Sequence, residues 1–145
     1  MSLDGAYDPD NIFAKIIRGE APAAKVLEDD HALVFMDVFP QSRGHTLVIS
    51  KQSQARNLLD CEPEILERLI LVTQRVVRAV KVALKPDGIM VSQFNGAPAG
   101  QSVFHLHFHV IPRWEGVPLG RHAGGGMADP KELAELARSI AQAID

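Results

Sequence analysis

Cysteine is nearly missing from this chain: its 145 residues include one, Cys61, and no Cys-x-x-Cys pair. No disulfide can close within it, and redox or zinc motifs built on paired thiols are excluded. A reducing compartment suits such a composition. An excess of positive charge is lacking too. Fifteen Lys and Arg against eighteen Asp and Glu leave a net charge of -3, which gives no broad basic field for a nucleic-acid backbone, although small anions need only local donors. No apolar run approaches the roughly 20 residues that cross a bilayer, and the first ten residues lack the cationic start and apolar stretch of a secretory leader. We therefore expect a cytoplasmic protein that engages neither nucleic acid nor membrane.

What is present suffices for one globular domain, since 46% of the residues are hydrophobic, enough for an ordinary core. Asp10 or Asn11 can cap a short helix whose stripe is Ile12, Phe13, Ile16 and Ile17, and Gly19 ends it. Extended segments follow over residues 25 to 28, 32 to 38 and 45 to 51, separated by Asp29-Asp30 and by a Pro40 to Gly44 turn, and they read as an antiparallel meander. Residues 63 to about 85 repeat apolar positions at helical spacing until Pro86-Asp87-Gly88 stops them. Residues 89 to 94 and 103 to 111 read as two more strands around a Gly- and Pro-containing loop, and Asp129 caps a last helix. The expectation is an α+β domain over residues 10 to 145, with about five strands, a core over 10 to 113, a C-terminal loop and helix over 114 to 145, and a flexible stretch over 1 to 9.

The main chemical signal is His105-Leu106-His107-Phe108-His109. On a strand, alternate side chains share a face, so the three imidazoles line one side while Phe104, Leu106, Phe108 and Val110 point into the core. Packing alone does not favour three such rings on one face, because they cost more to bury than apolar residues. A metal is the first rival reading, yet residues four apart on a strand lie roughly 13 Å apart along the backbone, so all three rings do not easily converge on one ion. Two of them would need ligands from elsewhere, and His31, His45, Asp37 and His122 have no ligand spacing. The second rival is nucleophilic and acid-base catalysis, in which the central His107 attacks while its neighbours orient it and move protons. Neutral imidazole suits an anionic phosphate, and the labile adduct can then be cleared by water. The preceding loop, with Asn95, Gly96, Gly100, Gln101 and Ser102, offers backbone N–H groups, an amide and a hydroxyl to phosphoryl oxygens, though a plain hairpin turn uses the same residues.

The run from Gln101 to Ile111 closely resembles the signature of the histidine-triad superfamily, His-φ-His-φ-His-φ-φ with φ apolar. The resemblance extends upstream through residues 11 to 20, 35 to 40 and 44 to 49, and so covers about residues 10 to 113. It implies a homodimer with an antiparallel sheet in each subunit, binding a purine nucleotide whose α-phosphate meets His107, which becomes nucleotidylated. By the same resemblance His109 contacts phosphate and mediates protons, His105 orients, and His45 is a further site histidine. Asp37 would hold the ribose hydroxyls, and Ile12, Phe13, Ile16 and Phe35 the nucleobase; Ile12 and Ile16 also read as ordinary core. Asn95, Gly100, Gln101 and Ser102 would meet phosphate or the leaving group. The implied reaction releases a nucleoside monophosphate from a phosphoramidate or a dinucleoside polyphosphate; the alternative is a non-catalytic nucleotide-binding scaffold.

The chain departs from the superfamily pattern in two places. Zinc-containing members place a Cys-x-x-Cys pair near the first helix, where Asn11 and Ala14 stand here, and a later histidine is replaced near Ser53. We therefore expect no structural zinc and no cofactor. Downstream, Pro112-Arg113-Trp114 and the extra helix resemble a bacterial-type branch rather than the phosphoramidase branch. Arg113 and Trp114 read either as phosphate and base contacts or as a solvated arginine beside a core tryptophan. His122 with Gly124-Gly125-Gly126 reads either as a lid or as a linker.

Overall fold

The computed structural model describes residues 2–120 and 126–145. The short helix α1 (Ile12–Ile17) is capped by the Asn11 side chain, which accepts from the Ala14 amide at 3.0 Å. Three strands follow: β1 (Lys25–Glu28), β2 (Ala32–Met36) and β3 (Thr46–Ser50). The long helix α2 (Pro63–Leu84) begins with proline in its first turn and ends on Lys85 in the left-handed region, φ 52°. Strands β4 (Gly88–Ser92) and β5 (His107–Arg113) and the helix α3 (Pro130–Gln142), capped by Asp129, complete the order. Two 3-10 turns, Leu58–Asp60 and Ala97–Ala99, lie where the sequence reads only as loop.

One sheet of five strands runs in the order β1-β2-β3-β5-β4, every neighbouring pair antiparallel. Residues of β2 and β3 are buried on both faces, because alternate side chains feed two cores. Val34, Met36, Val48, Phe108 and Val110 pack with α2 and α3, whereas Leu33, Phe35, Leu47 and Ile49 pack with Phe13 and Ile16 of α1. Register fixes which face carries the chemistry. Ile49 pairs with His107 and Leu47 with His109, so the histidines share the α1 side.

The fifth strand begins four residues later than the sequence pattern suggests. Ser50 ends β3, one residue past the Ile49–His107 pair, so little of the neighbouring ladder remains for residues 103 to 106. The Leu106 amide instead donates to the Ala55 carbonyl at 2.9 Å. His105 therefore precedes the strand, and Phe104 does not enter the core: its ring lies under the Arg56 guanidinium, 4.8 Å away. At the other end Pro112 lies beyond the last β3 pair, Thr46–Val110, where its missing N–H costs no ladder bond to that strand.

Residues 2–9, read from the sequence as flexible, make defined contacts. Asn57, fully buried, donates to the Leu3 carbonyl at 3.1 Å, and the Tyr7 hydroxyl meets His105.

Candidate active site

A cleft of about 480 Å³ opens on the α1 face of the sheet. Eight of the residues singled out from the sequence line it: Ile12, Phe13, Ile16, Phe35, Asp37, Ser102, His107 and His109. The walls are largely apolar, with Asp37, Ser102 and the two rings as the polar side chains among them. Phe13 lies edge-on to His107 at 4.9 Å and to Phe35 at 5.4 Å between centroids. Ile12 is 47% exposed and Ile16 is buried, and both line the cleft.

Hydrogen bonds set the tautomers of the neutral rings. The His107 Nδ1 lies 2.7 Å from the His105 carbonyl, which can only accept, so Nδ1 carries the proton and the lone pair is on Nε2. This carbonyl is the tautomer-fixing partner that the sequence could not name. The His105 Nε2 lies 3.0 Å from the Ser50 carbonyl and must donate there, which makes His105 Nδ1 the acceptor for the Tyr7 hydroxyl at 2.7 Å. Burial pushes the His105 pKa below the ordinary histidine value, with the Ser50 bond opposing it, so the neutral ring is favoured.

A second chain runs from His45 to His109. The Gln41 amide donates to His45 Nδ1 at 3.1 Å, so a neutral His45 carries its proton on Nε2. That nitrogen lies 2.9 Å from His109 Nδ1 and 3.4 Å from Asp37 Oδ2. His109, accepting at Nδ1, then holds its own proton on Nε2. The Asp37 Oδ1 accepts from the Phe39 amide at 2.8 Å, which anchors the carboxylate. His45 owes its position to Gly44 at φ +88°, where a Cβ would collide with the Leu84 side chain.

Not every candidate reaches the cleft. His45 and His105 lie behind it as supports. Gln101 is buried and braces its loop: its oxygen accepts from Gly96 N at 2.8 Å, while its nitrogen donates to the carbonyls of Arg56 and Val103. The Asn95 carboxamide accepts from Leu58 N at 2.9 Å and from the Gln93 amide, and Gly100 takes φ +112° to close the turn. These three shape the loop behind Ser102 and do not line the cleft. Arg113 and Trp114 also lie outside its lining. His122, Gly124 and Gly125 fall outside the described residues, while Met127 just beyond them reaches the cleft.

Sequence reasoning missed Tyr7, Phe39 and Phe94. The Phe94 ring lies 5.2 Å from that of His109, and nothing in its local pattern distinguishes it from a strand residue. Ligand atoms of Asp37, His45 and His109, all buried, lie within 4.8 Å of one another. Spacing along the chain could not reveal this set, because antiparallel pairing assembles it. At the positions of the zinc-type ligands, by contrast, Asn11 is occupied as a helix cap, Ala14 has no donor and Ser53 Oγ, near the place of the later histidine, accepts from Ala55 N and donates to Glu62, so these residues do not fit that zinc site.

The HIT domain pattern matches residues 18–116. Among solved structures, a Hit-like protein involved in cell-cycle regulation from Bartonella henselae superposes with TM-score 0.90 at 48% identity, covering 96% of this chain and 99% of that one. A histidine triad nucleotide-binding protein from Sulfolobus tokodaii strain7, described as hypothetical, gives TM-score 0.81 at 33% identity, covering 91% and 90%. A zinc-bound histidine triad family protein from Mycobacterium smegmatis gives 0.80 at 36%, covering 93% of each. With its sequence pattern, its sheet and its row of imidazoles in agreement, this chain belongs to the histidine-triad (HIT) family.

Proposed function

We propose that the protein is a nucleotide hydrolase that transfers a nucleotidyl group to His107 and then to water. The observation that carries this reading is the 2.7 Å bond from His107 Nδ1 to the His105 carbonyl, which leaves a lone pair on Nε2 of a ring lining an apolar cleft. In the first step Nε2 attacks the α-phosphorus and the bond to the leaving group breaks, the departing atom taking a proton from solvent while the His109 Nε2–H donates a hydrogen bond to a phosphoryl oxygen. In the second step a water attacks the phosphorus and displaces His107, its proton passing to solvent, and a nucleoside monophosphate is released. His45, held near Asp37, donates to His109 Nδ1 and so keeps the His109 proton on Nε2, facing the phosphate. Ser102, exposed and lining the same cleft, is a donor for phosphoryl oxygen.

The aromatic and aliphatic wall of Ile12, Phe13, Ile16 and Phe35 supports a purine as the base, and Asp37 supports a ribose, since one carboxylate can accept from both hydroxyls. The leaving group is an amine, as in a phosphoramidate, or a further nucleotide, as in a dinucleoside polyphosphate. We also propose a homodimer over the unit formed by residues 10–145. Strand β4 is the sheet edge, and Val91 on it is 44% exposed while Ile70, Leu71 and Val82 of α2 are at least 49% exposed, a covering surface suited to a second copy.

Rapid mixing with an adenosine phosphoramidate or a diadenosine polyphosphate, followed by intact-mass measurement, tests the chemistry. A nucleotidyl adduct that His107→Ala abolishes is expected, and the faster substrate identifies the leaving group. Nucleotide binding with neither adduct nor turnover would replace the enzyme by a binding protein.

A further inference from the structure

The chain has one tyrosine, Tyr7, in the segment ahead of the first helix. Its hydroxyl lies 2.7 Å from His105 Nδ1, and the two rings meet near edge-on at 5.7 Å and 61°. Direction is settled by the other end of the ring, where Nε2 must donate to the Ser50 carbonyl, so the tyrosine hydroxyl is the donor.

The segment that carries Tyr7 is tied on both sides. Upstream, Leu3 accepts from Asn57, and Gly5 lies so close to the Arg56 guanidinium that an added Cβ would stand 3.0 Å from it. Downstream, Asp8 accepts from both the backbone and the side chain of Asn11, and Arg18 donates to the Pro9 carbonyl at 2.6 Å. Tyr7 is therefore held against His105 by structure on either side of it.

We propose that Tyr7 is a positioning residue that keeps His107 in its attacking tautomer by acting through His105. The proposal rests on the reading of His107 as nucleophile. Its links are consecutive: the Tyr7 hydroxyl donates to His105 Nδ1, His105 Nε2 donates to Ser50, the last residue of β3, and the His105 carbonyl accepts from His107 Nδ1. Residues 103 to 106 lie outside the ladder; the peptide that carries the His105 carbonyl is tethered by the Leu106 amide's bond to Ala55, and the His105 ring, bonded to Tyr7 and Ser50, sets its remaining orientation. Without the hydroxyl, a buried acceptor on His105 loses its donor, and the alternative His105 tautomer turns a lone pair toward the Ser50 oxygen. The ring and its carbonyl then shift, and His107 samples the form protonated on Nε2, which cannot attack phosphorus. Tyr7 itself does not line the cleft, so substrate binding is spared.

The variant Tyr7→Phe keeps the ring and removes the hydroxyl alone. Ring-nitrogen NMR without substrate is expected to find wild-type His107 protonated on Nδ1 and the variant a mixture of tautomers. Adduct formation in single turnover is expected to slow about tenfold, the rate equivalent of one neutral hydrogen bond, with KM unchanged. A single His107 tautomer in the variant, or a wild-type rate of adduct formation, overturns the proposal. Should the wild-type protein form no adduct at all, the nucleophile reading fails, and the tautomer spectra alone then decide the role of Tyr7.

Discussion

His45 and His109 are 64 residues apart in sequence, yet His45 Nε2 lies 2.9 Å from His109 Nδ1. The contact arises because β3, which His45 immediately precedes, pairs with β5, which carries His109. It gives the site two separate proton circuits. One sets the nucleophile through His105, and the other sets the His109 donor through His45.

Replacing His45 by Gln removes the aromatic donor while retaining an amide of similar reach. We expect kcat to fall by about tenfold to a hundredfold, part of what one oxyanion donor contributes, with little change in KM. Steady-state kinetics check this, and a rise in KM at constant kcat would assign His45 to binding instead.

Asp37→Asn retains an oxygen for the Phe39 amide but removes the charge that would receive ribose hydroxyls. KM should rise about tenfold for a ribonucleotide, as for a lost hydrogen bond to a charged group, and much less for the dideoxy analogue. Equal effects on both would remove the ribose from the assignment.

Gln101 makes three hydrogen bonds, one buried and two partly buried, that brace the loop behind Ser102. Gln101→Ala is expected to cost about 2–4 kcal/mol of unfolding free energy, because its backbone partners are stranded as well. Urea denaturation measures this; normal stability with raised KM would return Gln101 to the phosphate contacts.

The His105 pKa is lowered by burial from 6.5. Here the unfolded chain binds the proton more readily, so the contribution of this ring to stability is full above about pH 6.5 and is lost as pH falls through the lower folded value. NMR titration should find the His105 ring still neutral where a free imidazole is half protonated. A midpoint at or above 6.5 would remove this source of acid sensitivity.

The mechanism routes no step through a metal, so exhaustive chelation should leave turnover unchanged. Added zinc should slow it, since Asp37, His45 and His109 present ligand atoms within 4.8 Å of one another and a cation there would displace the proton they share. Loss of activity on chelation would instead make the cation part of the machinery.

The elements with strong periodicity were legible before any coordinates. Strand β1 and the caps at Asn11 and Asp129 agree with their sequence signals, and α2 ends within one residue of the expected place. The alternation of His107, Phe108, His109 and Val110 correctly separated the chemical face from the core. Extending that alternation back to His105 failed, because periodicity reports side-chain direction but not whether a neighbouring strand is there to pair with. The same blindness hid Tyr7 and the Asp37–His45–His109 cluster: each is a contact across the fold between residues whose local surroundings are unremarked. Gln101 and Asn95 were identified as polar loop residues, but only their partners distinguish a brace from a ligand contact.

His107 is the first residue of β5, and this divides its neighbourhood by design freedom. Everything downstream is clamped by two ladders and tolerates little revision, while everything upstream is an adjustable collar of loop and leading segment. An engineer, or natural selection, can retune the reactive ring by editing residues 2–9 and 93–106 and leave the sheet untouched.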